Sequence, residues 1–300
     1  MSAVREKAVF CAMSVPASVP DTLDTPKKQG LHRRIGVFDS GLGGLSVLRA
    51  LHQYLPLAEM LYVADSGHAP YGEKDTAHII ARSEYITNFL LEQGAQAIVI
   101  ACNTATAAAA QHLRTRWPDV PIMGVEPGVK PAVAHSIHGR IGVLATPGTL
   151  ASPKFQQLVE RHGRSAEITL QACPGLAKEI EGGELDTPRL RELVAQFAHP
   201  LQDAGCDTVV LGCTHYPFVR TLFEEFLGPE VQIIDTSDAV ARHVARMVSE
   251  LPAYPANTRD AQPDATTDGH IRFWSSGQPA HLSQIVQRWF NLSCQVHALP

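Results

Sequence analysis

Paired metal-binding or redox cysteines are missing from this chain. Its six cysteines, Cys11, Cys102, Cys173, Cys206, Cys213 and Cys294, form no C-x-x-C motif, and no paired histidine spacing completes a zinc site. That excludes zinc ribbons and thioredoxin-like motifs, and six scattered thiols suit a reducing cytoplasm. An excess of basic charge is missing too: 25 Lys and Arg stand against 30 Asp and Glu, a formal net charge of −5. Nucleic-acid sleeves and anionic-membrane binders need a basic face, so neither nucleic acid nor a membrane is expected as a partner. No apolar run approaches the roughly 20 residues needed to span a bilayer. Near the N-terminus Arg5 and Lys7 precede only six apolar residues, 8–13, fewer than the roughly 7 of a secretory core. Residues 14–30 are rich in Ser, Pro, Asp, Thr and Lys, and residues 1–32 are expected to be a disordered leader.

What the chain does have is 45% hydrophobic residues over 300 positions, enough for two domains that each bury a core. Short β-branched apolar runs alternate with longer helix-like stretches. Strands are expected at 34–38, 59–64, 97–101 and 121–125, and again at 140–145, 167–172, 208–212 and 231–234. Helices are expected at 45–54, 76–92, 104–116, 153–161, 188–203 and 219–226. Near-continuous apolar strands between helices imply α/β architecture, with mainly parallel sheets covered on both faces.

The two strand series also resemble each other. Arg34-Ile35-Gly36-Val37 recurs as Arg140-Ile141-Gly142-Val143, and the 59–64 run answers the 167–172 run. The segment 94–102, ending in Cys102, answers 205–213, ending in Cys213. Three matches in order, at a slowly growing offset, point to an internal duplication; chance likeness among strand-rich segments is the alternative. The expected division is one α/β domain from 33–126 with 236–300, and a second from 127–235. Ligands of open α/β sheets bind beyond the carboxyl ends of the strands. Two such domains face to face would present Cys102 and Cys213 to opposite sides of one cleft.

Each cysteine ends a strand-like run and is followed by polar residues: Cys102-Asn103-Thr104 and Cys213-Thr214-His215. A thiol before a helix N-terminus has its thiolate favoured, while the amide and hydroxyls can hold a carboxylate. The bland alternative is a packing cysteine followed by a helix cap and, at His215, a surface histidine. After the first strand comes Asp39-Ser40-Gly41-Leu42-Gly43-Gly44. It fits neither the G-x-G-x-x-G fingerprint nor a Walker A loop. Asp39 could hold an ammonium group or assist a base, or simply shape a turn. Tyr71 and Gly72, in Pro70-Tyr71-Gly72, either offer backbone contacts to a carboxylate or form a turn. Glu181 by itself reads as a solvated carboxylate at a helix end.

Together these segments carry a resemblance. Asp39–Gly44, Pro70-Tyr71-Gly72, Cys102-Asn103-Thr104-Ala105 and Gly212-Cys213-Thr214-His215-Tyr216-Pro217 resemble the hallmark segments of the glutamate racemases, in order and spacing, from about Arg34 to Met247. The resemblance implies two pseudo-symmetric α/β domains with the active site in the cleft between them. It implies Cys102 and Cys213 as acid/base thiols assisted by Asp39 and His215, and substrate contacts from Asp39, Ser40, Tyr71, Gly72, Asn103, Thr104, Thr214 and His215. It assigns Cys102 to the D-enantiomer and Cys213 to the L-enantiomer, and sets Glu181 near His215. Relatives that act on aspartate usually carry a glutamate where His215 stands, which favours glutamate.

Racemisation needs a base on one face of Cα and an acid on the other, and two thiols supply both. No metal and no electron-sink cofactor is called for. The resemblance implies interconversion of L- and D-glutamate in the cytoplasm, supplying peptidoglycan synthesis, by a single chain or a homodimer. Two alternatives stay open: an aspartate or other amino-acid racemase or diacid isomerase of the same superfamily, and a non-catalytic module that binds small anions.

Overall fold

The computed structural model describes residues 33–252 and 270–300; the expected leader and Cys11 lie outside the described residues. Two all-parallel sheets organise them. One begins with β1 (Arg34–Asp39), β2 (Glu59–Ala64), β3 (Ala97–Ile100) and β4 (Ile122–Gly124). The other consists of β5 (Arg140–Ala145), β6 (Glu167–Ala172), β7 (Thr208–Leu211) and β8 (Gln232–Ile234). Two late strands, β9 (Ile271–Ser275) and β10 (Val296–Ala298), extend the first sheet, giving the orders β10-β9-β2-β1-β3-β4 and β6-β5-β7-β8.

The order β2-β1-β3-β4 is thus repeated by β6-β5-β7-β8, and the register repeats with it. Arg34 faces Glu59 and Ile35 faces Ala97; Arg140 faces Glu167 and Ile141 faces Thr208. These are the residues that match in the sequence, so the likeness between the halves extends to topology and pairing.

The helices are α1 (Leu45–Tyr54), α2 (Thr76–Glu92), α3 (Asn103–Arg116), α4 (Val129–His135), α5 (Pro147–Leu150), α6 (Pro153–His162), α7 (Leu176–Glu181), α8 (Pro188–Asp203), α9 (Arg220–Leu227), α10 (Ser237–Ser249) and α11 (Pro279–Phe290). Their starts follow local chemistry. The Asp75 carboxylate accepts from the His78 N–H at 2.7 Å to begin α2, and Thr187 and Ser152 cap α8 and α6, each followed by a proline. Such caps contribute about 1 kcal/mol each. The α3 cap is unusual, being the sulfur of Cys102.

Helices pack on both faces of each sheet, which explains apolar central strands without alternation, while the edge strand β6 stays half-buried to exposed. On one side of the first sheet Ile35, Val37 and Val99 pack with Leu48, Val244 and Ile285. On the other, Phe38, Leu61 and Ile98 pack with Ile86, Leu90 and Leu113. The second sheet divides likewise, Val209 and Leu211 packing with Val194 and Phe197, and Ile141 and Val210 with Val129 and Phe155. Each fully buried aliphatic side chain contributes roughly 1.5–3 kcal/mol. No helix among the described residues is long and apolar enough to cross a membrane.

Candidate active site

The carboxyl ends of β1, β3, β5 and β7 meet. The loop after β1 inserts between the halves, with the Ser46 hydroxyl donating to the Thr214 carbonyl at 3.0 Å and the Leu42 N–H donating to Glu181 Oε1 at 2.5 Å. A Cβ on Gly41 would collide with Glu181, and one on Gly43 with His215. Glycine is needed there because the second half packs directly on the loop backbone.

Cys102 stands at the head of the 14-residue α3. Its sulfur accepts from the Ala105 N–H at 3.5 Å and lies 3.6 Å from the Ser40 hydroxyl. Burial, then the charge of Asp39, push its thiol well above the ordinary value. Asp39, fully buried at the end of β1, accepts from the Gly44 N–H at 2.7 Å and from the Ser40 hydroxyl at 3.3 Å. Burial pushes its carboxyl up, against the pull of His215 and the Gly44 N–H. A carboxyl moved toward a thiol's range is the better matched to exchange a proton with it.

Cys213 is held differently. The helix expected at 219–226 forms as α9 from Arg220, and between Cys213 and α9 Tyr216–Val219 forms a short 3-10 turn, so no α-helix begins at its sulfur. The partner is a side chain instead: His215 Nδ1 lies 3.5 Å from Cys213 Sγ, and its Nε2 lies 2.5 Å from Glu181 Oε1. Burial opposes charge on this imidazole, but Cys213 and Glu181 outweigh it and hold His215 well above the usual histidine value. Glu181 is therefore no solvated carboxylate. The last residue of α7, it is largely buried and bridges His215 to the Leu42 N–H.

The remaining residues expected at the site gather around these two thiols. Asn103 and Thr104 open α3, and Thr214 follows Cys213; all are buried. The Asn103 amide donates to the Val125 carbonyl at 3.4 Å. The Tyr71 hydroxyl is already committed, donating to Asp65 Oδ2 at 2.5 Å, while Arg82 grips Asp65 at 2.8 and 3.0 Å. Against burial, Arg82 and Tyr71 hold the Asp65 carboxyl below its usual range. What Tyr71 and Gly72 can still offer a ligand is backbone, and a Cβ on Gly72 would stand 2.9 Å from Thr146 Cβ.

Sequence reasoning missed one feature of the site. The Thr104 hydroxyl lies 3.0 Å from that of Thr146 and 3.2 Å from that of Thr149, a buried hydroxyl cluster shared by the two halves. A signal existed: in the duplication Thr146 takes the place of Ser40, directly after a first strand. Among the described residues no cluster of three or more His, Cys, Asp or Glu could hold a metal ion.

Known proteins resemble this chain in sequence and in fold. The chain is similar to the glutamate racemase of Pseudomonas aeruginosa, 49% identical over 252 residues covering 84% of this chain and 92% of the relative. Its structure is similar to that of Escherichia coli glutamate racemase in complex with L-glutamate and the activator UDP-MurNAc-Ala, with a TM-score of 0.78 and 28% identity, covering 89% of this chain and 98% of that one. It is also similar to the Francisella tularensis glutamate racemase in complex with D-glutamate, with a TM-score of 0.74 and 25% identity, covering 89% and 97%. The Asp/Glu/Hydantoin racemase model matches residues 35–244, and the chain belongs to that family.

Proposed function

We propose that this chain is a glutamate racemase that moves the α-proton between Cys102 and Cys213. The observation that carries this reading is the pairing of each thiol with its own ionisable helper, from opposite halves of a repeated fold. Cys102 has Asp39 beside it, and Cys213 has His215 with Glu181 behind. With Cα between the sulfurs, one thiolate removes the proton and the opposite thiol returns one to the other face. Asp39 and His215 take up and give back the thiol protons between turnovers.

Negative charge that builds on the α-carboxylate needs preorganised donors. Ser40, Asn103, Thr214 and the Tyr71–Gly72 backbone, with the α3 N-terminus, are suited to that. The Thr104, Thr146 and Thr149 hydroxyls are suited to the second carboxylate of glutamate. Both thiols are buried in the conformation described, Cys102 to 5% and Cys213 to 7% exposure, so admitting substrate requires the halves to part. They correspond to 33–126 with 236–300, and 127–235. The reading puts the enzyme in the cytoplasm, supplying D-glutamate for peptidoglycan, with no metal or organic cofactor.

Incubation of the pure protein with L-glutamate should abolish its circular dichroism, with deuterium from D2O appearing at Cα, after dialysis against chelator and hydroxylamine as before it. Decay with L-aspartate but not L-glutamate would transfer the reading to an aspartate racemase. Activity lost on dialysis and restored by pyridoxal phosphate would sink the two-thiol mechanism.

A further inference from the structure

Cys102 and Cys213 occupy matching positions in the repeat, yet the residue three places on treats them differently. In the first half the N–H of Ala105 is directed at the Cys102 sulfur. In the second half the corresponding N–H, that of Tyr216, goes to the Cys213 carbonyl oxygen at 3.1 Å, because the chain enters a 3-10 turn there. The sulfur thereby loses a backbone donor, and a side-chain donor stands in its place. The Tyr216 hydroxyl is fully buried and has no hydrogen-bond partner among the described residues. Its polar neighbours are the thiols of Cys173 and Cys213, near enough to interact with it but neither aligned as a hydrogen-bond partner.

A buried hydroxyl without a partner calls for an explanation. Neutral thiols are poor acceptors, whereas an ionised sulfur is a strong one. We propose that Tyr216 is a positioning residue for Cys213, its hydroxyl turning to the sulfur when Cys213 becomes a thiolate and standing unpaired while Cys213 is a thiol. The proposal rests on the reading of Cys213 as one of the two bases. The other groups that face Cys213 are His215 with Glu181 behind it, Cys173 just beyond the end of β6, and Cys102 with Asp39 across the site. Of these groups, His215 and Tyr216 are the strong donors. Burial and the adjacent Cys173 and Cys213 push the ionisation of Tyr216 well above the tyrosine value.

The test is the pH profile of iodoacetamide alkylation at each cysteine, read by peptide mass spectrometry on the full chain. Tyr216→Phe keeps the ring and removes only the unpaired hydroxyl. It should move the Cys213 profile upward by roughly one pH unit, the size expected for one lost hydrogen bond to an ionised acceptor, while the Cys102 profile stays put. 3-Fluorotyrosine at position 216, a stronger donor in the same shape, should move the Cys213 profile downward. It decides the matter alone if Tyr216→Phe does not fold. A Cys213 profile unmoved by either change would overturn the proposal, as would equal shifts at both cysteines, which mean a structural role. The underlying reading is tested apart by Cys213→Ser: racemisation surviving in that variant would remove Cys213 from the mechanism without touching the alkylation result.

Discussion

In the first half of the molecule the thiol proposed as a base is met by a helix N-terminus as well as by side chains: Cys102 heads α3, takes the Ala105 N–H, and has Ser40 and Asp39 beside it. In the second half the thiol at the matching position has lost the helix, and His215, Glu181 and Tyr216 surround it with side chains. Strand order and register survived the duplication, but the way charge is handled at the strand ends did not. Each thiol has an ionisable neighbour, Asp39 or His215; Cys102 takes a helix N–H as well, whereas Cys213 has the imidazole 3.5 Å away. Under the proposed mechanism, two enantiomers that are mirror images at Cα are met by two bases that are not mirror images.

The largest effects should come from breaking one half at a time. Cys102→Ser or Cys213→Ser should each cut racemisation by roughly 10⁴-fold, the upper range for a positioned proton-transfer group. A glutamate analogue with a leaving group at Cβ needs only one base, because elimination follows the first deprotonation. Cys102→Ser should still eliminate the L-form and fail on the D-form, and Cys213→Ser should do the reverse. Equal loss on both enantiomers in each variant would mean that the halves act as one unit and that their difference has no chemical meaning.

Smaller effects should sort the helpers. His215→Ala should slow elimination of the L-form by about 10²-fold and Asp39→Asn that of the D-form by a similar factor, each leaving the opposite enantiomer within a few-fold of wild type. Racemisation itself cannot separate them, since enantiomers have equal free energy and kcat/KM must fall equally in both directions. If His215→Ala impaired the D-form as much as the L-form, His215 would belong to the whole cleft instead of to Cys213.

How far this arrangement could be foreseen depends on whether its cause is local. The eight strands of the repeat were legible because each is an apolar run between helix signals, and α1, α2 and α8 begin at cap or turn residues visible in the chain. β9 and β10 were not identified. One carries Arg272 in a five-residue run and the other has three residues, so only pairing with β2 and with each other makes them strands. At the site, Asp39, Cys102, Cys213 and His215 stand where their motifs put them. Glu181 by itself reads as a solvated helix end, and only the resemblance sets it near His215, because its contacts with His215 and Leu42 join residues distant in sequence. The Thr104–Thr146–Thr149 cluster likewise exists only where the halves touch, and no single motif encodes a contact between two.

The least conspicuous expected effect is on stability, and it bears on why Asp39 is buried at all. Burial raises its carboxyl pKa above the unfolded value, which is near 4. Between those two pKa values the folded chain binds more protons than the unfolded one, so the Asp39 contribution to stability falls as pH rises through that window and stays unfavourable above it. Asp39→Asn keeps an oxygen that can accept the Gly44 N–H and removes the ionisable group. Urea unfolding should therefore find the variant at least as stable as wild type at pH 7, with the difference shrinking as pH falls through that window and levelling off below about 4, where Asp39 is protonated in both states. Paired with the loss of D-form elimination, that result would identify Asp39 as a charge held at the cost of stability for its work on Cys102. A variant less stable at pH 7 than wild type would instead make Asp39 a structural support of the 39–44 loop, and the first half would then serve its thiol with backbone alone.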